Sequence, residues 1–459
     1  MYKDYFEKEI KKIDISFLPE KIKGFIPSFT ENLELDIKEF SLFWSSVNIE
    51  KKRLKKNKTI STKEVKYIND YSLLTKKFFL NKYSADIYKK ITKNFELFIR
   101  VEQLCDIANE YIPCLLPNKE DLENENNLML KEKEGIEREQ GVFLSAILSN
   151  KKEGVHLCKS MLRPTNLALK KIDEFESVGK ISLDGAQVEL FENYNLVTLD
   201  NPDYLNAEDN RTLIPLETAI DIATMSNNNN ICVLRGSKVN HRKYLNKRIF
   251  GAGINLTHLY EGKIPYLWYI TRDMGAVNKV LRGHFDESAP LNNALFPNKN
   301  KIWFAGVDTF AIGGGCQYLL VMDHIIADKS SYMTLPARKE GIIPGAANLR
   351  LWRFVGNRVA RQAIQHGLTI KSNSTNGKLI CDNLVDYDEI DDAITNTVKD
   401  FKNSGVVGAG FNKRALILGE ESLDDFRRYM SLYCHDQAYC HFSNELIKNL
   451  EKYWNKSKD

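Results

Sequence analysis

The sequence contains no Cys-x-x-Cys pair, no Gly-x-Gly-x-x-Gly unit, no P-loop and no internal repeat. The first absence removes the spacing of a structural zinc site or a dithiol redox pair, and the next two remove the usual nucleotide-phosphate cradles. The eight cysteines are scattered without regular intervals, a pattern of reduced thiols that leads us to expect a cytoplasmic protein rather than a disulfide framework. No apolar run approaches the ~20 residues of a membrane span. The first residues, Met1 to Lys8, mix charges and lack the apolar core of a secretion signal, so neither a signal peptide nor a membrane location is expected. Net charge is only +4 over 459 residues, which gives no basis for nucleic-acid binding.

An apolar fraction of 43% permits a sizeable core, and the length suits about three domains. Residues 1–185 are rich in lysine and glutamate, poor in glycine, and carry apolar residues at helical spacing, as in Ile87 to Ile99. Pro113 and Pro117 bracket a break between helices. This part reads as an N-terminal helical domain whose charge runs are solvated faces or, alternatively, a contact for an anionic partner. Beyond Gly185 the texture changes. Val188 to Leu199 alternates as a strand or hairpin, Leu213 to Ala223 reads as a helix, and Ile231 to Gly236 as a strand ending in a turn. Alternating strands and helices imply an α/β core over 186–385. A third region, 386–459, reads as helical. Ser443 is followed two residues on by Glu445, an imperfect capping signal.

The chemistry concentrates at two glycine bends. The buried-strand pattern Ile302 to Val307 leads to Ile312-Gly313-Gly314-Gly315-Cys316-Gln317, and a buried helix is expected from Cys316. Glycines at a strand-to-helix junction leave N–H groups bare at a helix N-terminus, where they stabilise an oxyanion. About sixty residues upstream lies a second bend, Phe250-Gly251-Ala252-Gly253-Ile254-Asn255-Leu256. One N–H from each bend, those of Ile254 and Gly314, can point at a single oxygen.

Those two bends, together with Gly341-Ile342-Ile343-Pro344-Gly345-Ala346-Ala347-Asn348, resemble the crotonase (enoyl-CoA hydratase/isomerase) superfamily. The resemblance implies a ββα-repeat spiral core that binds acyl-CoA thioesters, usually as a trimer, with Ile254 and Gly314 as oxyanion donors. The fold expected is therefore α/β, a crotonase-like spiral with an added N-terminal helical domain and a C-terminal helical region. Enoyl-CoA hydratases carry glutamates where this chain has Gln317 and Ala337. Hydration needs carboxylates that hold water and move protons, which an amide and a methyl group cannot do.

Asn206-Ala207-Glu208-Asp209 and Arg338-Lys339-Glu340 extend the resemblance to a narrower branch, cofactor-independent dioxygenases that cleave hydroxylated arylacetyl-CoA. That branch implies a 3,5-dihydroxyphenylacetyl-CoA substrate, O2 as co-substrate, no metal or organic cofactor, and a homo-oligomer, a trimer or dimer of trimers. The resemblance assigns Glu208 to a proton or a substrate hydroxyl, Gln317 to the aryl group or oxygen adduct, and Arg272 to the aromatic end. It also places Ala252, Gly253, Asn255, Gly315, Ile343, Pro344 and Gly345 around the substrate. By themselves Glu208 is equally a helix-start carboxylate, Gln317 a helix N-terminal polar residue, and Arg272 a surface charge paired with Asp273. The basic stretch His241-Arg242-Lys243-Tyr244, with Lys247 and Arg248, is either a contact for CoA phosphates or a surface loop. Gln437 faces the ligand or packs in a core.

Other readings stay open. His284-Phe285-Asp286, joined by His324 or His366, matches the two-histidine, one-carboxylate pattern of iron oxygenases, although His324 is expected on a core helix and His284 in a loop. Cys316 is a candidate nucleophile or a packing residue. A crotonase-fold hydrolase or isomerase and a non-catalytic acyl-CoA-binding scaffold are the alternatives to a dioxygenase.

Overall fold

The computed structural model describes residues 2–10, 18–23, 27–57, 61–285, 299–403 and 405–453. Helices fill the chain up to Val178. Leu33–Lys56 is capped by the Asn32 side chain, and Thr62–Ile91 opens with a capping box in which Ser61 and Glu64 exchange hydrogen bonds. The helical spacing read over Ile87 to Ile99 holds only as far as Ile91. Lys93, Asn94 and Phe95 take φ values of 48°, 57° and 73°, a left-handed turn that stops the helix. Val101–Tyr111 and Lys119–Asn126 flank the proline-marked break, and Arg138–Ser149, Lys151–Met161 and Asn166–Val178 complete this part.

Ten strands follow among the described residues: β1 (Lys180–Leu183), β2 (Ala186–Leu190), β3 (Asn195–Leu199), β4 (Ile231–Gly236), β5 (Ile302–Val307), β6 (Phe310–Ile312), β7 (His324–Asp328), β8 (Tyr332–Thr334), β9 (Ile370–Lys371) and β10 (Asn383–Val385). The larger sheet runs β1-β2-β3-β4-β5-β7-β10, and a smaller one runs β6-β8-β9. β1, β2 and β3 pair antiparallel, whereas β3, β4, β5, β7 and β10 pair parallel. Every residue of β4 and β5 is buried, as continuous apolar runs in a covered parallel sheet must be. β5 and β6, then β7 and β8, each give one strand to either sheet. That alternation makes a spiral, so the expected α/β core is present. His324 opens β7 instead of lying on a helix, because the helix after the second bend is short, Gly314–Leu319, and the chain turns back into the sheet.

The C-terminal region returns to the N-terminal helices. Helix Leu423–His441 packs on Arg138–Ser149, and Gly141 permits the approach: a β-carbon there would lie 2.8 Å from the Cys434 carbonyl. Buried Phe426, Met430, Tyr433 and Cys434 share one apolar cluster with Phe143, Leu144 and Tyr88. Helix Asn444–Tyr453 follows, and the Ser443 hydroxyl caps it by accepting from Leu446 N–H at 3.1 Å. None of the described helices is long and apolar enough to cross a membrane.

A buried charge network ties the helical region to the sheet region. Lys279 is fully buried and reaches Glu217 at 2.7 Å and Asp221 at 2.8 Å, both on helix Asn210–Met225. Arg100 makes two bonds to Glu217, at 2.9 and 2.8 Å, and the Thr165 N–H donates to Asp221 at 2.7 Å. Burial alone would raise the Asp221 pKa, but Lys279 and then His284 outweigh it and hold the carboxyl well below its usual range. Removing the cation leaves two buried carboxylates to Arg100, His284 and the Thr165 N–H alone. Lys279→Met should therefore cost about 3–5 kcal/mol, read as a lowered urea midpoint relative to the parent protein.

Candidate active site

The first glycine bend is fixed from both sides. Gly251 pairs in parallel with Ala311, and the Ile312 N–H donates to the Gly251 carbonyl at 2.9 Å. On the other side Glu208 bridges Ile254: the Glu208 N–H donates to Gly253 O at 2.7 Å and the Asn255 N–H donates to Glu208 O at 2.8 Å. These bonds use the groups flanking Ile254, and strand alternation turns the Ile254 N–H away from Glu208. Asn255 then caps the short helix Leu256–Tyr260 and donates its amide to Asp209 at 2.9 Å. The Asn206 side chain donates to the carbonyls of Ser237 and Ile249, at 2.9 and 2.8 Å, fixing the segment that delivers Glu208.

The second bend lies directly against the first. The Gly313 N–H is used by Thr334 O at 2.9 Å, and Gly314 is the first residue of the following helix, where an N–H has no intrahelical acceptor. A β-carbon on Gly315 would sit 2.9 Å from Gly251 O, and one on Gly253 would sit 3.1 Å from Ile312 O and 3.5 Å from Gly314 N. Gly253 also needs φ +82°, which L side chains rarely adopt. Ile254 and Gly314 line one cavity. Its other walls include Trp268, Tyr269, Arg272, Gln317, Ala337, Glu340, Ile343, Pro344 and Tyr433.

Arg272 organises the polar end. It closes the helix Leu267–Arg272, and a π turn over Asp273–Val277 follows. Its Nε and one terminal nitrogen bind the two Glu208 oxygens at 2.7 and 2.8 Å, and that nitrogen also donates to Gly314 O at 2.9 Å. The other terminal nitrogen donates to Asp273 at 2.9 Å and to Gln317 Oε1 at 2.7 Å. The guanidinium carbon is 4.8 Å from the Tyr318 ring centre. Burial is the largest influence on the Arg272 charge and opposes it, yet Glu208, Tyr318 and Asp273 together outweigh burial and raise its pKa. Asp273 is pushed up by burial, which Arg272 only partly offsets, and its second oxygen has no hydrogen-bond partner. Because Gln317 gives its oxygen to Arg272, its NH2 remains the donor available to a ligand.

The structure thus gathers Ile254, Gly314, Gln317, Arg272, Ile343 and Pro344 around the cavity, with Glu208, Gly253, Gly315 and Gly345 packed against these wall residues. Arg272 is a buried ion-pair partner at 2% exposure, not a surface charge. Gly345 leaves room there, since a β-carbon would lie 2.5 Å from both Asp273 and Gln317 oxygens. Gln437 is fully buried and accepts from the Ile343 N–H at 3.0 Å, so it holds the cavity wall from behind. His241, Arg242 and Lys243 are exposed and line no part of the cavity. Their loop is anchored by Tyr244, which stacks edge-on to Phe310 at 5.4 Å in a small apolar cluster that also includes Ala252 and Ile312.

The iron-type pattern is not assembled among the described residues. His284 is buried and paired with Asp221 at 2.8 Å, not held in an open loop, while Asp286 lies outside the described residues. His324 sits in β7 and His366 ends the exposed C-terminus of helix Ala347–His366. No group of three or more His, Cys, Asp or Glu among the described residues is placed to hold a metal ion. Cys316 is buried, and burial pushes its thiol up to about 12, which suits packing rather than nucleophilic attack.

Reading the sequence missed Glu340, Tyr433, Trp268 and Tyr269. Glu340 was hidden in the charged run Arg338-Lys339-Glu340, although its spacing of three from Ala337 puts both on one helix face. Tyr433 arrives from a helix almost one hundred positions downstream of the wall it completes, and no local signal announces that.

Comparison with known proteins follows the same segment. The sequence model described as Enoyl-CoA hydratase/isomerase matches residues 192–407. The (3,5-dihydroxyphenyl)acetyl-CoA 1,2-dioxygenase of Amycolatopsis orientalis is 37% identical over 370 residues, 80% of this chain and 84% of that protein. That match is longer than the family-matched segment and so extends well into the helical region. The 2,3-dehydroadipyl-CoA hydratase of Escherichia coli (strain K12) is 28% identical over 176 residues, 38% of this chain and 59% of the hydratase. Among solved structures, an enoyl-CoA hydratase from Mycobacterium avium subsp. paratuberculosis K-10 aligns over 59% of this chain and 99% of its own, with a TM-score of 0.48 and 16% identity.

The closeness of the two bends is open to a direct measurement. Gly367 shares a left-handed φ, +72°, but a β-carbon there meets nothing within 4 Å. Gly367→Ala should cost only the backbone term, about 1–2 kcal/mol. Gly253→Ala should cost more, because it adds the close approach to Ile312; chemical denaturation of both variants reads the difference.

Proposed function

The chain belongs to the enoyl-CoA hydratase/isomerase family, and from that footing we propose that it is a cofactor-independent dioxygenase acting on a hydroxylated arylacetyl-CoA. The products are an arylglyoxylate and free CoA, and the expected substrate is 3,5-dihydroxyphenylacetyl-CoA. One observation carries the reading: the match to a dioxygenase over 80% of the chain, joined to a cavity where Gln317 and Ala337 stand in place of two acid–base carboxylates.

In this reading the thioester oxygen sits between the N–H groups of Ile254 and Gly314. Charge that develops on that oxygen is then met by fixed donors, each contributing about 3–4 kcal/mol of transition-state stabilisation. The enolate becomes accessible, and conjugation with an electron-rich phenol lets it pass one electron to O2 without a metal. Apolar walls from Trp268, Ile343 and Pro344 suit a dry site that holds O2 and keeps stray protons from the carbanion.

We assign Arg272, Glu208 and Gln317 to the aromatic end. Arg272 holds both Glu208 oxygens and the Gln317 oxygen, so the three act as one rigid group. A substrate hydroxyl reaching that group meets the Gln317 NH2, and a site built around hydroxyls rejects analogues that lack them. Both Glu208 oxygens are held by the buried guanidinium, which fixes the carboxylate as an oriented acceptor. Glu208 is therefore placed as a hydroxyl-orienting group. The exposed basic loop of His241, Arg242 and Lys243, with Tyr244, is assigned to the CoA phosphates at the mouth beside Ala252.

Metal-free protein should consume O2 and release CoA thiol from 3,5-dihydroxyphenylacetyl-CoA at a rate that EDTA leaves unchanged. An oxygen electrode and a thiol reagent measure both products of the claim. Thioester cleavage or double-bond migration without O2 would move the protein to the hydrolase or isomerase class. Binding of the ester with no turnover would mark a scaffold.

A further inference from the structure

The cavity holds a carboxylate that none of these roles uses. Glu340 ends the helix Ala337–Glu340, is half-buried, and lines the cavity together with Ile254, Gly314 and Gln317. The other carboxylates of this end, Glu208 and Asp273, are engaged by Arg272. The Glu340 carboxylate has no hydrogen-bond or ion-pair partner among the described residues, and burial is the one influence on it. It lies close enough to Tyr269 for its charge, after burial, to raise the Tyr269 hydroxyl pKa.

We propose that the Glu340 carboxylate removes the α-proton of the bound arylacetyl thioester. The assignment rests on the arylacetyl-CoA reading above. In the step, the α C–H bond breaks and an O–H bond forms on Glu340. The released electron pair becomes the enolate π bond, and the carbonyl pair moves onto the thioester oxygen held by Ile254 and Gly314. No oxidant takes part in this step; O2 enters afterwards. The proton must later leave Glu340, and its partial exposure gives it a route to water.

Two features suit the role. The base stands in the same cavity as the proposed oxyanion donors, so proton removal and charge stabilisation act on one bound ester. Burial also pushes the Glu340 carboxyl up to about 7, where a general base is both largely ionised at mildly alkaline pH and strong enough to take a carbon proton. The groups around it are Tyr269 on Leu267–Arg272, Tyr433 on Leu423–His441, Arg272 and Asp273 across the cavity, and Arg338 and Lys339 on its own helix. Helix Asn444–Tyr453, packed against Ala337–Glu340, adds Glu445 and Lys448, both exposed.

The test compares the full-length protein with Glu340→Gln and Glu340→Asp, under anaerobic D2O, using 3,5-dihydroxyphenylacetyl-CoA. Wild-type protein should exchange the α-protons for deuterium. Glu340→Gln should exchange at least about 100-fold more slowly, the usual span for a lost general base, while binding the ester with affinity within about twofold of wild type by calorimetry. Glu340→Asp should recover part of the rate and certifies that this helix tolerates substitution. If the abstracted proton stays trapped in the wild type, O2 uptake reads the same step: kcat/KM should rise between about pH 6 and 8 in wild type, and that rise should vanish in Glu340→Gln. A glutamine variant that exchanges and consumes O2 at the wild-type rate overturns the Glu340 assignment alone. Wild-type protein that does neither with this ester overturns the arylacetyl-CoA reading and the assignment with it.

Discussion

A single buried guanidinium is the constraint on which the polar end of the cavity depends. Arg272 is joined to Glu208, Asp273, Gln317 and the Gly314 carbonyl, and these come from three separate stretches of chain. A charge at 2% exposure survives only if nearly all its donors are satisfied. Satisfying them sets the distance between the Glu208 segment, the π turn at Asp273 and the second glycine bend. The same cation that makes the site polar therefore also fixes its shape. Two carboxylates share this one cation, so any ligand donor that enters finds acceptors already in place.

Glycine supplies the complementary constraint. The two bends approach so closely that side chains at Gly253 and Gly315 would meet backbone oxygens of the opposite bend. Backbone thus packs on backbone, and both bends reach the wall of one cavity. The apolar sheet behind supports this arrangement, with β5 buried at every residue and leading straight into β6 and the second bend. The positioning is made by regular elements, and the loops only carry the last few residues into place.

Much of this was legible before any coordinates. Gly-Gly-Gly after a β-branched run, and a second glycine bend upstream, are local signals with a local cause, so Ile254, Gly314 and Gln317 could be named together. An α/β core, the hairpin of β2 and β3 and most of the helix Asn210–Met225 followed from periodicity, whereas the spiral was implied only by the family resemblance. Features that depend on distant partners were not legible. His324 fell in β7 because the short helix Gly314–Leu319 ends early, and apolar residues after it look alike in helix and strand. The helix predicted through Ile99 ended at Ile91 because of three left-handed residues that are not glycine. Glu340 looked like one charge in a run of three, and only the packing around it shows which of those charges turns inward. His284 was read as a loop residue, yet the buried anion of Asp221 holds it inside.

The wall formed by Ile343 is secured by Gln437, which lies 94 residues further along the chain, on a helix that packs against Arg138–Ser149. As the polypeptide leaves the ribosome, both glycine bends and Arg272 emerge well before that glutamine does. A chain that has emerged only that far lacks the Gln437 oxygen that accepts from the Ile343 N–H. The wall of the cavity thus stays incomplete until a segment 94 positions downstream has folded back onto it.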